Sequence, residues 1–221
     1  MEMRKKLLGA SHPDTLSSMA NLAITYADQG RWNEAEQLFV QVMDMTKKLL
    51  GADHPDTLRS MANLAGTYRN QGRWNEAEQL QIQVMDMTKK LLGADHPDTL
   101  RSMGNLACTY RDQGRWNEAE QLQIQVTDMR KKLLGADHPE TLSSMANLAC
   151  TFRNQGKWNE AEQLQIQVMD MTKKLLGAEH PDTITSMGNL ASIYRDQGRL
   201  NEAEQLEVQV MDKTSGKCEV A

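Results

Sequence analysis

Five histidines, His12, His54, His96, His138 and His180, each stand before a proline and an acidic residue, a setting that raises metal ligation as a candidate chemistry. Their spacing argues against it. They recur every 42 residues, one per repeat and each beside a helix start, which is the pattern of a structural joint and not of ligands converging on one ion. Cysteine chemistry fares no better. The chain has three cysteines, an odd count without close spacing and a poor disulfide framework. Cys108 and Cys150 fall at equivalent places on successive helices, which pack about 9 Å apart or more, too far for an unstrained disulfide. They read instead as small groove residues. No phosphate-cradling glycine loop, activated nucleophile or acid/base pair stands out. Accordingly no catalytic residue, metal or cofactor is expected, and the chain is not read as an enzyme.

What must position these residues is a repeat. Pro13, Pro55, Pro97, Pro139 and Pro181 follow the histidines. Gly30, Gly72, Gly114, Gly156 and Gly198 recur in step with them, as do Trp32, Trp74, Trp116 and Trp158, with Leu200 at the fifth tryptophan place. A period in this range means a solenoid or a similar array. The boundaries follow: residues 1–9 as the end of the second helix of a truncated preceding repeat, repeats at 10–51, 52–93, 94–135, 136–177 and 178–213, and a tail at 214–221. The first segment matches Thr127–Gly135, so the chain reads as a fragment of a larger protein, and the polar tail reads as a native C terminus.

Within a repeat the pattern predicts two helices. Pro55 has the backbone angle of a first helical turn, and Asp56 places negative charge near its unpaired amides. Leu58, Met61, Leu64, Ala65 and Tyr68 then fall on one stripe, ended by Gly72. Ala77, Leu80, Val84, Met87 and Leu91 predict a second buried stripe, on a helix of about 17 residues that Gly93 closes. Links this short force neighbouring helices antiparallel, and a lone pair would leave its apolar faces wet, so each pair must stack on the next.

Composition limits function. A net charge of −5 argues against a protein that coats nucleic acid. No run of about 18 apolar residues is present, so no membrane span is expected, and MEMRKKLLGA lacks the apolar core of a secretion signal. A cytoplasmic setting is the default.

The pattern NLA-x-x-Y-x-x-Q-G-[RK]-W-N-E-A-E resembles the tetratricopeptide repeat, in the 42-residue form of kinesin light chains. Ala23 and Tyr26 match the family's small and aromatic places in the first helix, and Gly30, Trp32 and Ala35 match its turn and second helix. The resemblance implies an all-α fold, an α-solenoid (right-handed superhelix) of antiparallel helix pairs. Two departures stand out. The proline that ends the second helix is missing, and the aromatic in the middle of that helix is kept only as Phe39, with Gln81, Gln123, Gln165 and Glu207 elsewhere, which predicts looser or wetter packing there.

Differences among the repeats concentrate on the first helix. Counted from Leu58, the places that vary are the second, fifth, ninth, twelfth and thirteenth, and at 3.6 residues per turn they share one arc of about 100° facing away from the apolar stripe. In the family resembled, that arc lines a concave groove. Ser17, Arg59, Arg101, Ser143 and Thr185 fill the second place. The ninth includes Cys108 and Cys150, and the twelfth carries Arg69, Arg111, Arg153 and Arg195. Exposed-looking places on the second helix, such as Asn75, Glu76, Glu78 and Gln79, stay fixed, which argues against drift at random. Variation does reach that helix at Thr127 and Arg130.

Asn21, Asn63, Asn105, Asn147 and Asn189 lie on the arc without varying. An asparagine amide offers donors and an acceptor, enough to hold a peptide backbone without reading its sequence. The resemblance implies that use; the rival role is a ladder of amide bonds between neighbouring helices. The six arginines on the arc outnumber Asp28, Asp112 and Asp196 there, which favours an acidic or polar peptide unless those arginines pair within the chain. The expected function is a protein-interaction module that binds an extended peptide or partner loop. Similar arrays form the C-terminal sensor of signalling ATPases of the NB-ARC and NACHT classes. The alternative is a structural scaffold, or an engineered consensus array, that self-associates without a peptide ligand. For such association the incomplete N-terminal layer is expected to expose Leu16 and Met19. Neither nucleic acid nor membrane is an expected partner.

Overall fold

The computed structural model describes residues 2–215, all but a few of them in helices. Eleven α-helices and no strand occur among the described residues: α1 (Glu2–Leu8), α2 (Pro13–Asp28), α3 (Trp32–Leu50), α4 (Pro55–Asn70), α5 (Trp74–Leu92), α6 (Pro97–Asp112), α7 (Trp116–Leu134), α8 (Pro139–Asn154), α9 (Trp158–Leu176), α10 (Pro181–Asp196) and α11 (Leu200–Ser215). They fall into two compact units that divide between Gln113 and Gly114. In each unit consecutive helices pack on one another, and their short links turn the chain back each time, giving stacked antiparallel pairs of the solenoid class.

The local chemistry explains where each helix begins and ends. Pro55 opens α4, and Nδ1 of the preceding His54 accepts the Asp56 N–H at 3.2 Å, so the histidine caps an otherwise unpaired amide. His12, His96, His138 and His180 do the same. Gly72 ends α4 with φ of 76°, which lets the Arg73 N–H reach back to the Tyr68 carbonyl at 2.9 Å, the six-to-one bond of a Schellman turn. Gly51 ends α3 at φ 96° and ψ 166°, a conformation open mainly to glycine, and its carbonyl accepts the Thr57 hydroxyl at 2.8 Å. Thr99 and Thr183 repeat that clamp on Gly93 and Gly177.

Packing follows the predicted stripes with several differences. Leu58, Met61 and Val84 form one buried cluster, while Ala23, Ala35, Phe39 and Leu64 form another that joins the first two repeats. Leu91 is not part of such a stripe: it is 47% exposed, and its register equivalents Leu49 and Leu175 are exposed too, lining surface cavities instead of the core. Gln81, only 4% exposed, occupies the register of Phe39 and has no partner for Oε1 within the chain, so this place is buried and polar. Gln165 satisfies half of its amide by donating Nε2 to the Ser186 carbonyl at 3.0 Å.

Both ends depart from expectation. Leu16 and Met19 are not an exposed patch. They are 6% and 4% exposed, packed on Val42 of α3. The exposed apolar residues at that end are Met3, Leu7 and Leu8, on α1 itself. At the other end α11 continues through Ser215, two residues past the expected boundary, and presents Leu200, Val208 and Met211 to solvent, so this helix is less polar than expected. Residues 216–221, most of the expected tail and including Cys218, lie outside the described residues.

Candidate functional site

The first helices of successive repeats bring part of the predicted arc together. In the first unit, one cavity is lined by Ser17 and Ala20 of α2 and by Arg59 and Asn63 of α4. In the second unit, the residues 126 positions later, Ser143, Ala146, Thr185 and Asn189, line a cavity at the same register. Second place, fifth place and asparagine thus converge on one surface feature in both units. The ninth, twelfth and thirteenth places do not reach it; Cys108 and Cys150 are half-buried thiols further along their helices.

All five asparagines are accessible, Asn21 and Asn105 exposed and the other three half-buried. Among the described residues none of their side-chain amides has a hydrogen-bond partner, so they form no ladder between neighbouring helices. Only their backbone carbonyls are engaged, as when the Thr67 hydroxyl donates to the Asn63 carbonyl at 3.1 Å.

The arginines are less available than their number implies. Arg59 pairs with Asp56 at 2.8 Å and Arg101 with Asp98 at 2.7 Å, each one helical turn back. Arg69 of α4 reaches Asp112 of α6 at 3.1 Å, and Arg111 approaches the same carboxylate at 3.6 Å. In the second unit Arg153 of α8 pairs with Asp196 of α10 at 2.9 Å, and Arg195 pairs with Glu207. The positive strip expected from counting arc residues is therefore largely neutralised within the chain, by five carboxylates to six arginines, three of the five coming from off the arc. The same pairs account for part of the alternation at the thirteenth place: Asp112 and Asp196 stand opposite an arginine of the preceding repeat, whereas Asn70 follows a repeat with Ala27 at that register.

Sequence reasoning missed a second constellation, on the opposite side of the Gln-Gly turn. Oε1 of Glu36 accepts from Arg73 Nη1 at 2.8 Å and Oε2 accepts from Gln71 Nε2 at 2.8 Å, tying one repeat to the next. The Arg73 guanidinium also donates to Glu76 and lies 4.1 Å from the Tyr68 ring centre. Lys157 and Gln155 hold Glu120 in the same way, and Arg199 and Gln197 hold Glu162. Burial pushes the pKa of Glu36 up, but the bonds from Arg73 and Gln71 outweigh it and leave the carboxyl below its ordinary value. Glu120 and Glu162 are lowered for the same reasons. Of the two fixed glutamates of the second helix, the one in the register of Glu36 is thus an inter-repeat fastener, and Glu78 bonded to Gln113 is one of these; the other, in the register of Glu76, pairs with an arginine of its own repeat. For the first of them, constancy has a packing cause. The signal was present in the sequence: Asn, Glu, Gln and Arg/Lys recur in every repeat, and partners in successive repeats stand 35 to 38 residues apart, a separation that only stacking converts into contacts.

No helix among the described residues is long and apolar enough to cross a membrane, and no group of three or more His, Cys, Asp or Glu there could hold a metal ion.

Comparison with known proteins was made on this background. The tetratricopeptide repeat family matches residues 61–132 in one form and 15–56, 141–182 and 183–214 in another. Among solved structures, the nearly identical TPR-like repeats of a Podosopora anserina protein described as a kinesin light chain are 35% identical, with TM-score 0.78 over 93% of this chain and 97% of that one. A Rap protein complexed with Competence and Sporulation Factor superposes with TM-score 0.75 at 12% identity, over 96% of this chain and 61% of that one. NprR in complex with its cognate peptide NprX gives TM-score 0.71 at 15% identity, over 96% and 59%. No curated protein sequence matches the chain.

Proposed function

Because the chain belongs to the tetratricopeptide repeat family, as an array of the kinesin-light-chain type, we propose that it is a non-catalytic interaction module that holds an extended peptide along its first helices. The observation that carries this reading is the set of accessible asparagines within each unit, Asn21, Asn63 and Asn105 in the first and Asn147 and Asn189 in the second, whose amides are unpaired among the described residues, two of them at the rim of register-equivalent cavities. Unpaired amide donors and acceptors on a surface otherwise closed by ion pairs suit a ligand backbone. Rap and NprR, similar in fold alone, are solved with a bound factor and a bound peptide, which supports a peptide as the kind of ligand. Acidic or polar side chains on that peptide would compete with Asp56, Asp98, Asp112 and Asp196 for the arginines. A sensor role in a larger cytoplasmic signalling protein fits such a surface.

A peptide array is the test. Peptides that bind the full chain should lose at least about ten-fold in affinity when Asn63, Asn105 and Asn147 are changed to alanine together, as expected for loss of several hydrogen bonds. Binding that survives this change unaltered removes the asparagines from the site. The scaffold reading draws on exposed Met3, Leu7 and Leu8 at one end and Leu200, Val208 and Met211 at the other. It predicts a mass that rises with concentration in sedimentation equilibrium, and a constant monomer mass excludes it.

A further inference from the structure

Two cavities occupy the same register in the two units and differ in one respect. Between α2 and α4 the volume is about 90 Å³, and between α8 and α10 it is about 560 Å³. Their walls correspond residue for residue: Leu16, Val42, Leu49 and Leu50 in the first, Leu142, Val168, Leu175 and Leu176 in the second. What differs among the lining residues is Asp137, whose equivalent in the first unit is Ser11, and the second place of the following helix. At that second place Arg59 lines the first cavity and pairs with Asp56 one turn back on its own helix, whereas Thr185 lines the second. The longer side chain goes with the smaller volume and threonine with the larger.

The same difference changes the charge. Asp182 is the register equivalent of Asp56, and with Thr185 in place of arginine it has no guanidinium one turn along. Its neighbour is His180, 3.7 Å away, whose Nδ1 already accepts the Asp182 N–H. Asp137 lies on the rim as well, and no lysine or arginine lines this cavity. A space of about 560 Å³ falls in the ~300–1,000 Å³ range of ligand pockets, and about 90 Å³ does not.

We propose that the cavity between α8 and α10 is a side-chain subsite for a peptide that carries a large apolar residue flanked by lysine or arginine. The apolar side chain enters between Leu142, Val168 and Leu176, the flanking cation meets Asp182 and Asp137, and Asn189 holds the backbone at the rim. The residue at the second place decides which repeats have such a subsite: Thr185 opens one and Arg59 closes one. This assignment rests on the peptide-binding reading above.

The test uses the full chain and a short fluorescein-labelled peptide with phenylalanine between two lysines, read by anisotropy. Two copies of it serve as controls, one with alanine for phenylalanine and one with glutamate for both lysines. Wild type should bind the first peptide at least about ten-fold more tightly than either copy, the scale of discrimination an apolar pocket provides. Thr185→Arg should lower that affinity about ten-fold. The substitution copies an arrangement the chain already folds with at Arg59 and Arg101, so its melting curve should match wild type. Arg59→Thr should add a second binding site, raising the stoichiometry of the same peptide. Equal binding of the three peptides, or binding that Thr185→Arg leaves unchanged, overturns the subsite. If peptides from the array still bind in an asparagine-dependent way, the general reading survives that result; if no peptide binds at all, both fall.

Discussion

Arg73, at the foot of α5, donates Nη1 to Oε1 of Glu36 in α3 across 2.8 Å, so the second repeat is fastened to the first by a guanidinium that also pairs with Glu76 of its own helix. Solvent reaches this pair, which reduces its worth well below that of a buried one. Even so, Glu36 accepts from both Arg73 and Gln71, and removing it breaks both bonds across the joint. Glu36→Ala should lower stability by about 1 kcal/mol. By contrast, Glu34→Ala, which removes only a pair to Arg31 within one turn, should stay within about 0.5 kcal/mol of wild type. Urea unfolding fitted with nearest-neighbour coupling would separate the two, since the first change should act on the interface between repeats and the second on the repeat itself.

Acid should undo the same joints. Glu36, Glu120 and Glu162 have pKa values lowered in the folded chain from the ordinary 4.5, a net effect in which bonds from the following repeat outweigh burial. A depressed carboxyl stabilises the fold fully above its unfolded value and loses that contribution as pH falls through its folded value. The melting temperature should therefore change little in its carboxylate contribution between pH 7 and 5 and fall below about pH 4.5. Replacing all three glutamates by glutamine should lower it at neutral pH and flatten the acid limb. An acid limb equally steep in the triple variant would assign the loss to other carboxylates.

How much of this was legible beforehand depends on whether a signal lay inside one repeat or between two. The helix starts at Pro55, the glycine stop at Gly72 and the stripe of Leu58, Met61 and Leu64 are local, and hydrophobic periodicity with turn chemistry located them. Leu91 was misassigned because periodicity marks a face without saying where the neighbouring helix stops covering it. Leu16 and Met19 were misassigned for the converse reason, since Val42 and Leu38 of α3 cover them. The asparagine row could be read from sequence as accessible and on one face. Its freedom from partners could not, and neither could the pairing of Arg69 with Asp112, because both depend on distances between repeats.

Gln81 tests how far polar groups in the core are tolerated. It sits at 4% exposure in the register that Phe39 fills in the preceding repeat, with Oε1 unpaired. Methionine has a similar length and no buried carbonyl to satisfy. Gln81→Met should raise stability by about 1 kcal/mol, since an unsatisfied buried acceptor costs on that order. Gln165→Met should yield less, because it also removes the bond from Nε2 to the Ser186 carbonyl. Chemical denaturation of both variants checks the order, and a larger gain at Gln165 would show that its one hydrogen bond contributes nothing.

Asp112 occupies the position from which the role of the arginines can be read. It neutralises Arg69 at 3.1 Å and lies 3.6 Å from Arg111, so a ligand carboxylate has to displace it before either arginine is available. Asn70 and Asn154 fill the same register, which makes Asp112→Asn a change the fold already accommodates. If the peptide's acidic groups meet these arginines, the variant should bind an acidic peptide about three- to ten-fold more tightly at low salt, a gain of about 0.7–1.4 kcal/mol from one charge of repulsion removed and two donors released. Raising ionic strength from 0.05 to 0.5 M should erase most of that gain, because screening shortens to a few ångströms. An affinity that ignores both the substitution and the salt would place the ligand's charges away from Arg69 and Arg111, leaving backbone capture by the asparagines as the part of the site still to be tested on its own.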